Sequence, residues 1–258
     1  MSDYVKNHVL RLLEKGVRLD GRKLTEFRKP ISVEYNISKS AEGSAKATIG
    51  DTVVFAGVKM EVGEPYPDTP DAGSLMVGAE LYPLSNPEFE SGPPSMAAVE
   101  LARVVDRGIR ESEAVDFEKL CIKSGELSWI VVADICTLND CGNLFDASAL
   151  ATLAALKATK LPALVNDKVD YTNLTEDGLP LNENPLSVTV HKIGNYFIID
   201  PTTEEEKVSE ARLTVASIED GTLCALQKGG DAPLTAEDID KMIDIGLEAT
   251  KELRNALR

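Results

Sequence analysis

Cysteine is scarce and poorly placed for a metal site. The 258-residue chain has four, Cys121, Cys136, Cys141 and Cys224, and none stands in a CxxC pair. Only His191 lies near the C-terminal half as a further ligand. A zinc site is therefore not expected, and the four should be buried or half-buried free thiols in a reducing compartment. Long apolar runs are missing too. No stretch reaches the roughly 18 apolar residues that a membrane span requires. The N-terminus, Met-Ser-Asp-Tyr-Val-Lys-Asn-His, lacks the basic-then-apolar order of a signal peptide. A cytoplasmic protein with no membrane partner is expected. Positive charge is the third shortage: 27 Lys and Arg stand against 43 Asp and Glu, a net charge of -16. Such a chain repels nucleic acid on average. Any RNA contact must come from a local basic patch, one that a basic partner completes.

What is present fits a globular protein. The hydrophobic fraction is 43%, and the length allows one large core or two fused lobes. Residues 3–15 carry Val5, Val9, Leu12 and Leu13 at helical spacing. Arg18-Leu-Asp-Gly-Arg22 reads as a turn, with Asp20 and Arg22 pinned by local hydrogen bonds. Strand-like runs follow at Ile31–Tyr35, Ser44–Ile49 and Thr52–Met60, punctuated by Gly43 and Gly50-Asp51. Residues 63–96 hold seven prolines, at 65, 67, 70, 83, 87, 93 and 94. That composition predicts a long exposed loop around one strand, Ser74–Pro83, and loops of this kind are often interfacial.

The second half repeats the mixture. A helix is expected over Met96–Ala114 and a mostly apolar strand over Trp129–Leu138. An alanine-rich helix should cover 146–160, with Asp146 as its N-cap. Residues 164–182 suggest a loop or a short strand plus a turn. Strands are predicted at Leu186–Ile193, Tyr196–Asp200, Glu210–Ile218 and Leu223–Gln227. A last amphipathic helix spans 235–257, capped by Thr235 with Glu237 and Asp238 in its first turn. Strands outnumber crossovers, so the fold class is mixed α+β rather than a pure βαβ series.

One helix carries a basic face. Arg103, Arg107 and Arg110 recur at i, i+4 and i+7, within roughly 60° of one another. Guanidinium forks along one stripe suit a run of RNA phosphates, bound without regard to sequence. The plainer alternative is a solvated stripe paired to Glu100, Asp106, Glu111 and Glu113. Glu204, Glu205 and Glu206 read most simply as a solvated acidic edge.

Three segments together resemble the RNase PH family of exoribonucleases. The first is Arg18-Leu-Asp-Gly-Arg22 with Glu42-Gly-Ser-Ala45 and Gly50-Asp-Thr52. The second is Glu100-Leu-Ala-Arg-Val-Val-Asp-Arg-Gly-Ile-Arg110. The third is Trp129–Leu138 with Gly142 and the helix after it. Their order and spacing cover nearly the whole chain. The resemblance implies an RNase PH-like fold (ribosomal protein S5 domain 2-like), with mixed sheets packed with helices. It implies one such domain over 1–258, built of two β/α lobes, approximately 1–160 and 161–258.

The resemblance also locates a site that has lost its chemistry. Active members show Asp-Leu-x-Tyr-x-Glu-Asp, five residues, then Asp-Met-Asn, on what reads here as an active-site strand over 198–214. Their two later aspartates bind the metal that phosphorolysis needs. On this chain those positions are Glu206 and Arg212. Glutamate keeps hard carboxylate oxygens, but arginine is a permanent cation with donors only. Active members hold the attacking phosphate with Gly-Thr-Arg or Gly-Ser-Arg, where this chain has Cys141-Gly142-Asn143. Asparagine cannot form a bidentate charged clamp on phosphate. The chain thus resembles the non-catalytic RNase PH-like subunits of the archaeal exosome. That resemblance implies no catalytic residue, no metal and no cofactor of its own. It implies a six-membered ring of three pairs with a catalytic RNase PH-like subunit, single-stranded RNA at Arg103, Arg107 and Arg110, and cap subunits bearing S1 or KH domains. Two alternatives stay open here: an active phosphate-dependent 3'-5' exoribonuclease, and a ring scaffold that never touches RNA.

Overall fold

The computed structural model describes residues 3–165 and 167–257. In chain order its first half runs α1 (Asp3–Leu13), β1 (Ile31–Tyr35), β2 (Gly43–Ile49), β3 (Thr52–Gly63), β4 (Ser74–Glu80), α2 (Met96–Arg110), β5 (Cys121–Lys123), β6 (Leu127–Asn139) and α3 (Leu144–Ala158). The second half runs β7 (Lys160–Val165), β8 (Lys168–Gly178), β9 (Leu186–Ile193), β10 (Tyr196–Ile199), α4 (Thr203–Val208), β11 (Ala211–Ser217), β12 (Leu223–Gly229) and α5 (Ala236–Arg254).

The strands form a six-stranded mixed sheet, β1-β2-β3-β6-β4 with β5 beside β6, a four-stranded antiparallel sheet, β10-β9-β11-β12, and the β7-β8 hairpin. Alternation explains the large sheet. Along β3, Val54, Ala56, Val58 and Met60 are buried while Val53, Phe55 and Lys59 face the other way. One apolar core runs from this sheet through α3 into the small sheet. A separate cluster of Val9, Leu13, Ile193, Ile198 and Val208 fixes α1.

Helix α3 fills the space between the two sheets, packing on β2, β3 and β6 on one side and β9 on the other. Every residue from Asp146 to Leu156 is buried. Small side chains permit that, and Gly43 permits the closest approach. A Cβ there would lie 2.1 Å from Thr159 Oγ1 and 2.4 Å from the Ala155 carbonyl. Helix α2 lies beside β4 and the small sheet, and α5 covers β9 and β11. The Thr235 cap holds: its hydroxyl accepts the Asp238 N–H, and the Asp238 carboxylate accepts the Thr235 N–H. Among the described residues no helix is long and apolar enough to cross a membrane.

Four expectations need correction. The alanine-rich helix starts at Leu144, behind Asn143 at the N-cap with φ 62°. Asp146 is no cap: it is fully buried and accepts the Thr189 N–H at 2.7 Å. Residues 164–182 hold most of the β7-β8 hairpin, whose bulges and exposed faces hide the alternation; position 166 lies outside the described residues. Helix α2 stops at Arg110, before a turn with Glu113 at φ 51°. Finally, 198–214 is not one strand. Asp200 at φ 45° breaks β10, and a Thr202–Glu205 capping box starts the short α4 before β11 begins.

Candidate functional site

The loop Asp140-Cys141-Gly142-Asn143 joins β6 to α3 and is held from all sides. Asp140 accepts the Gly142 N–H at 2.9 Å and an Asn86 amide hydrogen at 2.8 Å. The Thr52 hydroxyl donates to the Gly142 carbonyl at 2.6 Å and accepts the Cys141 N–H at 3.2 Å. Gly142 has φ 95°, and a Cβ there would meet the Pro201 carbonyl at 2.4 Å. Only glycine lets the loop lie against that segment.

Asn143 is turned inward, and its side-chain and backbone nitrogens each donate a hydrogen bond. Its Nδ2 donates to Asp200 Oδ1 at 2.9 Å, and its backbone N–H donates to Glu206 Oε1 at 2.7 Å. The Glu206 carboxylate thus occupies the backbone amide at the start of α3, the anion-attracting end of a helix. Burial pushes its pKa up to about 7, and the Asn143 N–H opposes that shift. Asn143 Oδ1 and Asp146 Oδ2 are both buried with no hydrogen-bond partner among the described residues. Burial pushes the Asp146 carboxyl up to about 8, against its bond to Thr189.

Arg212 lines a cavity of about 360 Å³ together with Glu100, Phe145 and Glu206. Its guanidinium donates to Glu100 at 2.5 Å and lies 4.9 Å from the Phe145 ring centre. Across the strand, Gly229 makes room: a Cβ there would sit 2.6 Å from Arg212 Cζ. On the other neighbour, His191 is buried and neutral, its pKa pushed down to about 3 by burial and then by Arg212.

These groups do not fit a divalent metal. Glu206 offers one carboxylate, already engaged with the Asn143 amide. The next position is a guanidinium, and both oxygens of the nearby Asp140 carry hydrogen bonds. Nor do they fit an attacking phosphate, since Asn143 points at Asp200 and its amide serves Glu206.

Asp200 organises the region, and the sequence reading missed it. It accepts from Arg22, from the side chain and backbone of Arg28, and from Asn143. Arg28 also donates to the carbonyls of Cys141 and Gly142. Arg18 and Glu205 form an ion pair whose side chains are fully buried, and Arg18 adds bonds to the Ile199 and Asp200 carbonyls. Glu205 is therefore not part of a solvated edge. The charge is buried because Arg18 reaches it and because it closes the α4 cap. Arg22 does form the expected turn, bonded to Asp20.

The arginine stripe lies on the open side of α2. Ser95 caps the helix by accepting the Ala98 N–H at 3.2 Å. Leu101, Val104, Val105 and Ile109 face inward, while Arg103, Arg107 and Arg110 line a groove of about 500 Å³ beside Gln227. The three differ. Arg110 is held by Asp106 at 2.8 Å and by the Leu75 carbonyl at 3.0 Å. Among the described residues Arg107 bonds only the neutral Gln227, at 2.9 Å. Arg103 has no hydrogen-bond or ion-pair partner among the described residues. Of the four acids that could have paired the stripe, Asp106 alone does so, and Glu100 turns to Arg212.

Comparison with known proteins agrees with this architecture. Residues 26–162 match the model of the 3' exoribonuclease family (RNase PH), domain 1, and residues 183–249 match its domain 2. A protein of Archaeoglobus fulgidus named exosome complex component Rrp42 is 47% identical over 259 residues, covering 100% of this chain and 97% of the relative. Its namesake in Methanopyrus kandleri is 44% identical over 257 residues, covering 98% and 96%. A solved structure described as the Archaeoglobus fulgidus exosome with RNA bound to the active site holds a chain that superposes with a TM-score of 0.91 at 47% identity, over 99% of this chain and 98% of that one. This α+β chain has the RNase PH-like fold and belongs to the 3' exoribonuclease (RNase PH) family.

Proposed function

We propose that this chain is a catalytically silent subunit of a phosphorolytic exoribonuclease ring in the cytoplasm. One observation carries the reading: the groups at the family's reactive positions are turned onto each other. Asn143 donates to Asp200, its amide is spent on Glu206, and Arg212 is paired with Glu100 over Phe145. A site in this state has no open anion-binding amide at Asn143 and no pair of carboxylates for a cation.

The function left to the chain is structural and electrostatic. It pairs with a catalytic RNase PH-like subunit, three pairs to a ring, and helps to complete that subunit's active site and RNA channel. Its contribution to 3'-to-5' degradation is to hold the RNA backbone. Arg103 is free to meet a phosphate, and Arg107 gives up only a neutral amide to do so. Arg110 is largely neutralised by Asp106 and adds least. Cap subunits with S1 or KH domains dock on the ring. The archaeal relatives that bear an exosome name, and the superposable chain from an RNA-bound exosome, support this reading.

Arg103→Glu with Arg107→Glu, in the assembled ring, tests it. Both side chains are exposed, so the ring should still assemble. RNA affinity should fall and its salt dependence should become shallower, because fewer phosphates are neutralised. Unchanged affinity and slope would leave only the scaffold reading.

A further inference from the structure

Two large apolar side chains stand open on α2 ahead of the arginines. Met96 is 87% exposed and Val99 is 42% exposed, and both line the groove that holds Arg103, Arg107 and Arg110. The five positions follow one another at i, i+3, i+7, i+11 and i+14, the spacing of a single helix face. At 1.5 Å per residue the row is about 21 Å long. Of the other polar groups on this wall, Asp106 is engaged with Arg110, Glu100 with Arg212 and Gln227 with Arg107, while the exposed Glu111 lies past the row, beyond Arg110. What remains open reads apolar first, then cationic.

A ligand for the whole row needs negative charge for one half and a flat apolar surface for the other. A bare polyphosphate would leave Met96 and Val99 against water. An apolar peptide would bury Arg103 and Arg107 without a counter-charge, which is costly. An unstacked strand of RNA supplies both, since each phosphate comes with a base whose face is apolar.

We infer that Met96 and Val99 form a base-contact platform at the head of the arginine track. The inference rests on the reading of Arg103 and Arg107 as RNA contacts and extends it to a base. The phosphates lie along Arg103 and Arg107, and one splayed base packs on the Met96 thioether and the Val99 methyls. An unbranched, polarisable methionine adapts to purine and pyrimidine alike. The platform therefore adds affinity without sequence preference.

The test uses the ring assembled with its catalytic partner subunit, single-stranded RNA, and an abasic strand of equal length. Met96→Ser with Val99→Ser should weaken RNA binding about fivefold, the lower end of a base-stacking contact because neither side chain is aromatic. The salt slope should not change, since no phosphate contact is lost. The abasic strand should bind wild type and variant equally, and Met96→Leu with Val99→Ile should retain full affinity. Equal RNA affinity of the serine variant and wild type would overturn the platform. So would loss of ring assembly by light scattering, which would assign the pair to a protein partner. Arg103→Glu with Arg107→Glu, run in parallel, separates the two levels. If the arginine change weakens binding and the serine change does not, only the platform falls. If neither weakens it, the RNA-contact reading falls as well.

Discussion

Asp146 shows how far the interior departs from a solvated reading of the same letters. Its carboxyl titrates near 3.8 in an unfolded chain and at about 8 in the folded one, chiefly through burial. Across that window the folded state holds a proton that the unfolded state has released, so stability falls as pH rises from 3.8 towards about 8. Glu206, raised to about 7, tilts the profile the same way up to that pH. His191, lowered to about 3, tilts it the opposite way between about 3 and 6.5, because only the unfolded state takes up a proton there. Asp146→Asn keeps an acceptor for Thr189 and puts an amide where the proton was. Urea melts should show the variant gaining on wild type between pH 6 and pH 8; parallel profiles would contradict the assignment. Arg18→Ala strands the Glu205 carboxylate in a fully buried site, and losing one partner of such a pair costs about 3–5 kcal/mol. Chemical denaturation measures that loss directly, and a change below about 1 kcal/mol would mean that water reaches Glu205. At this scale the letters single out Asn143, Glu206 and Arg212 as departures from the family pattern, because residue type is visible in a sequence. It did not expose that Asp200 gathers Arg28 and Asn143, or that Glu205 is buried against Arg18. The two arginine contacts join residues 172 and 187 positions apart, which no local pattern encodes.

At the scale of elements, the strands with clear alternation and the capped helices were legible. Ile31–Tyr35 and Leu186–Ile193 have the bounds their patterns predict, and Thr235 caps α5 through Asp238. Two of the failures share a cause: no face separates inside from outside. Helix α3 is buried all round, so nothing in its pattern marks the start, and Asn143 fixes it through a left-handed backbone instead. The β7-β8 hairpin is mostly exposed and irregular in register, so its alternation is lost. The 198–214 segment hides one helical turn between two strands, visible only through the Thr202–Glu205 box. The packing of α3 makes a sharp demand on Gly43. Gly43→Ala places a methyl against Thr159 and the Ala155 carbonyl, and overpacking of this kind costs about 1–3 kcal/mol. A thermal melt tests it, and an unchanged midpoint would show that α3 has room to shift. The arginine stripe belongs to this scale as well. Helical spacing found it, but only the neighbouring elements reveal that Asp106 and Leu75 restrain Arg110 while Arg103 is left open.

For the whole molecule, charge and connectivity decide the behaviour. A net charge of -16 opposes RNA at long range, so tight RNA binding should require the catalytic partner's basic surface. One apolar core joins both sheets through α3, and a single cooperative unfolding transition is expected for the chain. The proposed division of labour is that this chain holds RNA and the partner cuts it. The most direct test is RNA degradation with added phosphate and Mg²⁺ by this chain alone, by the catalytic partner alone, and by their mixture, with mass followed by light scattering. The account requires that this chain alone be inert and that the mixture form a ring that releases nucleoside diphosphates. Degradation by this chain alone, abolished by Glu206→Gln, would contradict it and establish a working active site around Glu206.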